Sequence, residues 1–134
     1  MKQSDKICLI DDDEIYLFLM KKSFNAMGVD NEVLSFLNGA DALEEFIKLK
    51  NNNEEFPCII FLDINMPIMD GFGFLDEFDR LPGSFTTGIK VAMLTSSLEK
   101  EEIRRSYEYK NVVDFINKPL STEKIVILAD KIIK

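Results

Sequence analysis

The chain contains no histidine. That removes every His-based catalytic dyad or triad and every His-containing zinc site at once. Cysteine is nearly as scarce: Cys8 and Cys58 stand alone inside stretches that read as buried strands, and both are expected to be reduced core residues. No apolar run approaches the roughly 20 residues of a membrane span. Positive charge is in deficit, with 16 Lys and Arg against 24 Asp and Glu and a net charge of −8. Nonspecific nucleic-acid binding needs a basic face, so that class is set aside. Met1 to Lys6 is short and mixed in charge, and only Ile7 to Ile10 follow before three aspartates. This is too short for a signal peptide, and the protein is read as cytoplasmic, without membrane insertion. Repeats, low-complexity tracts and linkers are also missing. The 134 residues are therefore expected to form one domain with a real core, without room for an output domain.

What is present is an ordinary globular composition, 46% apolar and 30% charged, arranged around one stretch. In Cys58-Ile59-Ile60-Phe61-Leu62-Asp63-Ile64-Asn65-Met66-Pro67 an unbroken apolar run of strand length ends in a carboxylate, and a Pro67 to Gly71 turn follows. A run apolar on both faces is the signature of a central strand in a covered parallel sheet. Asp63 then falls at the carboxyl end of that strand, where open α/β sheets place their ligand sites.

Along the chain, strands are expected at Ile7 to Ile10, Glu32 to Leu37, Ile59 to Leu62, Ile89 to Leu94 and Val112 to Ile116. Five helices alternate with them. The first, Glu14 to about Met27, places Ile15, Phe18, Leu19 and Met27 at helical spacing, with Gly28 as its C-cap. The second, Ala40 to Lys50 after an Asn38-Gly39 turn, has Leu43, Phe46 and Ile47 on one face. The third, Asp70 to Asp79, carries Phe74, Leu75 and Phe78. Ser96 and Glu99 have the spacing of a capping box for the fourth, running to about Tyr109. Ser121 can cap the last, whose stripe is Ile125, Leu128, Ala129 and Ile132. Arg80 to Gly88 reads as the longest loop. Strict alternation with short links implies an α/β fold, a doubly wound parallel sheet covered on both faces.

Four of the five strands deliver polar groups just past their apolar runs: Asp11 and Asp12, Asp63, Thr95, and Lys118. Parallel strands end on one edge, so these groups should share a cleft. A solvated strand end would be polar too, but would not select acids, a hydroxyl and an ammonium together. Three carboxylates held together repel one another unless a cation lies between them, and hard oxygens with room for water suit Mg²⁺. A metal so placed, with Lys118 opposite, can grip a phosphoryl group. The Thr95 hydroxyl can bind one of its oxygens, and the Asp63 carboxylate can act as nucleophile.

Ile10-Asp11-Asp12-Asp13, Leu62-Asp63-Ile64-Asn65-Met66-Pro67 with Asp70-Gly71, Leu94-Thr95-Ser96 and Lys118-Pro119 together resemble the receiver domain of two-component response regulators. The likeness spans essentially the whole chain. It implies a flavodoxin-like five-stranded sheet in the order 2-1-3-4-5. It also implies that Asp63 accepts a phosphoryl group from a histidine kinase or phosphotransfer protein. Asp12 would bind Mg²⁺ directly, Asp11 largely through water, and Asn65 through its backbone carbonyl. Lys118 would contact the phosphoryl group, and Pro119 would follow a peptide bond that is often cis in this family. Asp13 is read instead as starting or capping the first helix. Thr95 and Phe115 would form the switch pair, although Phe115 also reads as a core residue.

Phe115 lacks the hydroxyl of the tyrosine found in many relatives, and Ser96 stands where many have alanine. The charged helix from Glu99 to Tyr109 reads as solvated, yet relatives use this face for partners. The resemblance implies a phosphorylation-switched binding module whose downstream target is another, unknown protein. Two alternatives differ in class. One is a constitutive interaction domain. The other is an aspartate-nucleophile phosphohydrolase of the haloacid dehalogenase type, which needs a second acid where Asn65 stands and a cap domain.

Overall fold

Ile7–Ile10, four residues buried along their whole length, form β1, and each later apolar run adds a parallel strand beside it or its neighbours. The structure, a computed structural model, describes residues 5–95, 99–118 and 121–133. After β1 come α1 (Glu14–Ala26), β2 (Val33–Phe36), α2 (Gly39–Asn51), β3 (Ile59–Asp63) and α3 (Gly71–Phe78). The chain continues through α4 (Gly83–Thr86), β4 (Lys90–Thr95), α5 (Lys100–Ser106), β5 (Val112–Asn117) and α6 (Thr122–Ile133). All strands are parallel, in the order β2-β1-β3-β4-β5. Among the described residues no helix is long and apolar enough to cross a membrane.

Side chains alternate across a strand, and the three central strands carry unbroken apolar runs, Ile7–Ile10, residues 59–62 and residues 91–94, so each supplies both faces. Cys8, Ile10, Ile60, Leu62, Val91 and Met93 face α2 and α3, where Phe46 packs its ring 5.1 to 5.9 Å from those of Phe56, Phe74 and Phe78. Ile7, Leu9, Ile59, Phe61, Ala92 and Leu94 face Leu17, Met20 and Phe24 of α1 and Ile125, Val126 and Ala129 of α6. The same parity, carried past the strand ends, sends Asp11, Asp63 and Lys118 toward the α1 and α6 side.

Several expected boundaries and faces need correction. On α1, Ile15, Phe18, Leu19 and Met27 are exposed, and Leu17, Met20 and Phe24 are buried instead. Residues 15–20 are apolar all round the helix, so spacing alone cannot choose the buried side. On α2 the buried stripe is Ala42, Phe46 and Leu49; Leu43 is only partly buried, and Ile47 is exposed. Asn38 and Gly39 are not a free turn: Asn38 caps α2 by accepting from the Asp41 N–H at 2.8 Å, and Gly39 is its first residue. The 80–88 loop contains the short helix α4, pinned by Asn111, whose Nδ2 donates to the carbonyls of Thr86 and Ile89 at 3.0 and 2.8 Å. Helix α5 ends at Ser106, short of Tyr109. Its Glu99 N-cap makes no side-chain capping bond, and Ser96 lies outside the described residues, as does Pro119. Cys58 is only half-buried and precedes β3, donating its thiol to the Lys6 carbonyl.

Other local signals hold. Gly28 adopts φ 78 at the end of α1, where a side chain would be strained. The Gly28 and Val29 N–H groups return to the carbonyls of Asn25 and Phe24, the Schellman arrangement. Asp13 caps α1, accepting from the N–H groups of Ile15 and Tyr16 at 3.0 and 3.1 Å. Asp13→Ala leaves those donors without their partner, and urea denaturation should show a loss of about 1 kcal/mol.

Candidate functional site

The site is built where β1, β3 and β5 run out. Asp11 continues the β1 ladder, its N–H donating to the Phe36 carbonyl at 3.0 Å, and Lys118 continues that of β5 by donating to the Thr95 carbonyl at 2.6 Å. Asp63 is the last residue of β3. Oxygens of Asp11, Asp12 and Asp63 all lie within 4.8 Å of one another. Asp11 and Asp63 are buried, whereas Asp12 is exposed. One Asp11 oxygen accepts from the Asp13 N–H at 2.9 Å and the other from Lys118 Nζ at 2.6 Å. Lys118 Nζ also stands 4.0 Å from Asp63 Oδ1. The structure therefore brings together Asp11, Asp12, Asp63 and Lys118 of the residues singled out above.

Burial first, and the neighbouring Asp11 charge second, push the Asp63 carboxyl up to about 7. Lys118 opposes this, while the Asp12 charge and a hydrogen bond with Asp12 add to it. Asp63 thus sits in a pocket short of positive charge despite the adjacent ammonium. A dication bound to these hard carboxylate oxygens would supply that charge, and the donor set fits Mg²⁺.

The remaining expected residues lie around this cluster. Thr95 ends β4, fully buried, one residue beyond the position paired with Asp63. Its register parity points to the opposite face from Asp63. Asn65 is exposed two residues past Asp63, lining a hollow with Ile64, Asp70, Phe72 and Glu101. Phe115 is half-buried against the α2 and α3 core. It reaches that side because Val91 pairs with Val112 but Ala92 with Asp114, which leaves Val113 as a bulge and shifts the later residues by one.

Two contributors, Tyr16 and Asn111, were not singled out from the sequence, and a third, Gly71, was noted only as part of a turn and a motif. Tyr16, one turn into α1, places its ring 4.8 Å from Lys118 Nζ. Asn111 anchors α4, as described. Gly71 allows the loop after Asp63 to fold back: its N–H donates to the Ile64 carbonyl at 2.8 Å, and an added Cβ would lie 2.6 Å from the Asp63 carbonyl oxygen. Within that loop Ile68 is held at φ 69, an unfavourable conformation for a β-branched residue. Gly71→Ala must push the Asp63 backbone aside. It is expected to cost about 2 to 3 kcal/mol in chemical denaturation.

A doubly wound α/β sheet with an acidic, lysine-bearing site at its carboxyl edge defines the class of protein. The response regulator receiver domain family model matches residues 7–130. The chain belongs to this family. It is 26% identical over 119 residues to the probable methanogenesis regulatory protein FilR2 of Methanothrix harundinacea, covering 89% of this chain and 75% of that one. It is 30% identical over 132 residues to the sensor histidine kinase CheAY of Helicobacter pylori, spanning 98% of this chain but only 15% of that protein. Among solved structures, a two component response regulator from Cytophaga hutchinsonii is similar at 27% identity and a TM-score of 0.81, with 98% of both chains covered.

Proposed function

We propose that this receiver domain is a phosphorylation switch with Asp63 as phosphoacceptor and a histidine kinase or phosphotransfer protein as donor. The observation that carries this reading is the Asp63 carboxylate, buried at the sheet edge between two further acids and a lysine. One Asp63 oxygen attacks phosphorus, the bond from phosphorus to the donor's leaving atom breaks, and an acyl phosphate results. Asp11, Asp12 and Asp63, with the Asn65 backbone carbonyl, would hold Mg²⁺, which when bound neutralises charge on the phosphoryl oxygens. Lys118 contributes the second positive point, and the Thr95 hydroxyl takes one phosphoryl oxygen. The chain's own catalysis extends no further than helping this transfer and the later hydrolysis.

The response is read out by Thr95 moving toward the new charge, with Phe115 taking up the vacated space. Half-burial of Phe115 suits a ring with two positions. A protein target then recognises the face formed by α5, β5 and α6. Incubation with acetyl phosphate tests the reading: intact mass should rise by one phosphate with Mg²⁺ and stay unchanged with EDTA. No gain with Mg²⁺ would instead favour a constitutive interaction domain.

A further inference from the structure

We propose that Tyr16 is a positioning residue for Lys118, its ring face holding the ammonium beside Asp63. This rests on the phosphoacceptor reading and adds to it a residue outside the family's site pattern quoted above. Lys118 carries its charge on a flexible four-carbon stem, and among the described residues three groups compete for that charge. Nζ is 2.6 Å from Asp11 Oδ2, 4.0 Å from Asp63 Oδ1 and 4.8 Å from the centroid of the Tyr16 ring. The negative face of an aromatic ring attracts an ammonium within about 6 Å, more strongly where water is excluded. Here the lysine side chain is only 18% exposed.

The ring is itself held. The cap formed by Asp13 fixes the Tyr16 backbone, and the side chain packs against the core shared by α1 and α6. Burial, then the charges of Asp11, Asp13 and Asp63, push the phenol up to about 12, so the ring stays neutral and acts through its face. Asp11 serves both the ammonium and the expected metal site. When Asp11 turns to a metal, the ammonium loses its shortest partner, and the ring is the neighbour that does not turn with it. Lys118 then stays within reach of a phosphoryl group on Asp63 instead of swinging into solvent.

The test compares wild type with Tyr16→Leu and Tyr16→Phe. Phosphorylation by acetyl phosphate at saturating Mg²⁺ is followed by intact mass, and Mg²⁺ affinity is measured separately by calorimetry. Tyr16→Leu should phosphorylate about 3- to 30-fold more slowly, the range a cation–π contact covers. It should bind Mg²⁺ no more weakly than wild type, because a less tightly held ammonium repels the metal less. Tyr16→Phe keeps the ring and should match wild type in both. A wild-type rate in Tyr16→Leu overturns the proposal. So does parallel weakening of Mg²⁺ binding, which marks a structural role, or a Phe variant as slow as Leu, which assigns the effect to the hydroxyl.

Should Tyr16→Leu fail to fold, the proton spectrum of wild type decides. The ε-methylene of Lys118, identified by its disappearance in Lys118→Arg, should be shifted upfield by the ring, and an unshifted signal overturns the contact. If wild type itself takes no phosphate, the phosphoacceptor reading falls, while the upfield shift and the Mg²⁺ titration still decide whether Tyr16 holds Lys118.

Discussion

Lys118→Ala should slow phosphorylation of Asp63 by about a hundredfold and, without metal, destabilise the fold by about 3 kcal/mol. The two losses have separate causes. The first is removal of a fixed positive charge from where negative charge gathers on the transferring group. The second concerns Asp11, which is buried and pairs with Lys118 Nζ at 2.6 Å. Breaking a buried pair from one side leaves an uncompensated charge, and among the described residues only the Asp13 N–H at 2.9 Å would remain on that carboxylate. Saturating Mg²⁺ should restore most of the stability, since it binds the folded site and supplies the missing charge. It should not restore the phosphorylation rate. Urea denaturation in EDTA and in Mg²⁺ separates the effects, and equal stability of wild type and variant in EDTA would refute the role given to the ion pair.

Asp63→Asn should stabilise the metal-free protein at pH 8 while removing its phosphoacceptor. The folded-state carboxyl ionises near 7, against 3.8 for an ordinary aspartate. Below about pH 4 both folded and open chains hold the proton, and Asp63 contributes nothing to the pH dependence. Between 4 and 7 the open chain releases the proton before the fold does, so stability falls as pH rises. Above 7 the penalty is complete, at most about 4 kcal/mol for a displacement of this size. An amide needs no ionisation but still pays for burial. A gain of about 2 to 3 kcal/mol at pH 8, vanishing near pH 4, is therefore the expected denaturation result. A variant no more stable than wild type at pH 8 would mean that Asp63 is not strained by its surroundings. Mg²⁺ should stabilise wild type more at pH 8 than at pH 5, where it must displace a proton.

The sheet was legible because its central strands carry unbroken apolar runs of four residues. Ile59 to Leu62 cannot present a polar face, so helices must cover both sides, and strict alternation then orders the strands. The site was legible as a set of positions for the same reason, since parallel strands deliver Asp11, Asp63, Thr95 and Lys118 to one edge. What escaped depends on relations that sequence spacing does not encode. Helix α1 is apolar around its circumference near residues 15–20, so its buried side is chosen by the sheet and not by its own pattern. The Val113 bulge, which turns Phe115 toward α2 and α3, has no local signature. Helix α4 is four residues long and is held by Asn111 from a distant turn. Gly71 was visible as part of a motif, but its reason, the approach of the Asp63 carbonyl, lies in the folded loop. Tyr16 was hidden because nothing in the chain announces that α1 crosses beside the end of β5.

Residue-level trapping of the acyl phosphate tests the central claim most directly. After acetyl phosphate and Mg²⁺ treatment, borohydride reduces an aspartyl phosphate to homoserine, and peptide mass spectrometry locates the change. Conversion at position 63, absent in EDTA and in Asp63→Asn, is the expected result. Conversion at Asp11 or Asp12 with Asp63 intact would contradict the account, as would no conversion in protein shown by calorimetry to hold Mg²⁺.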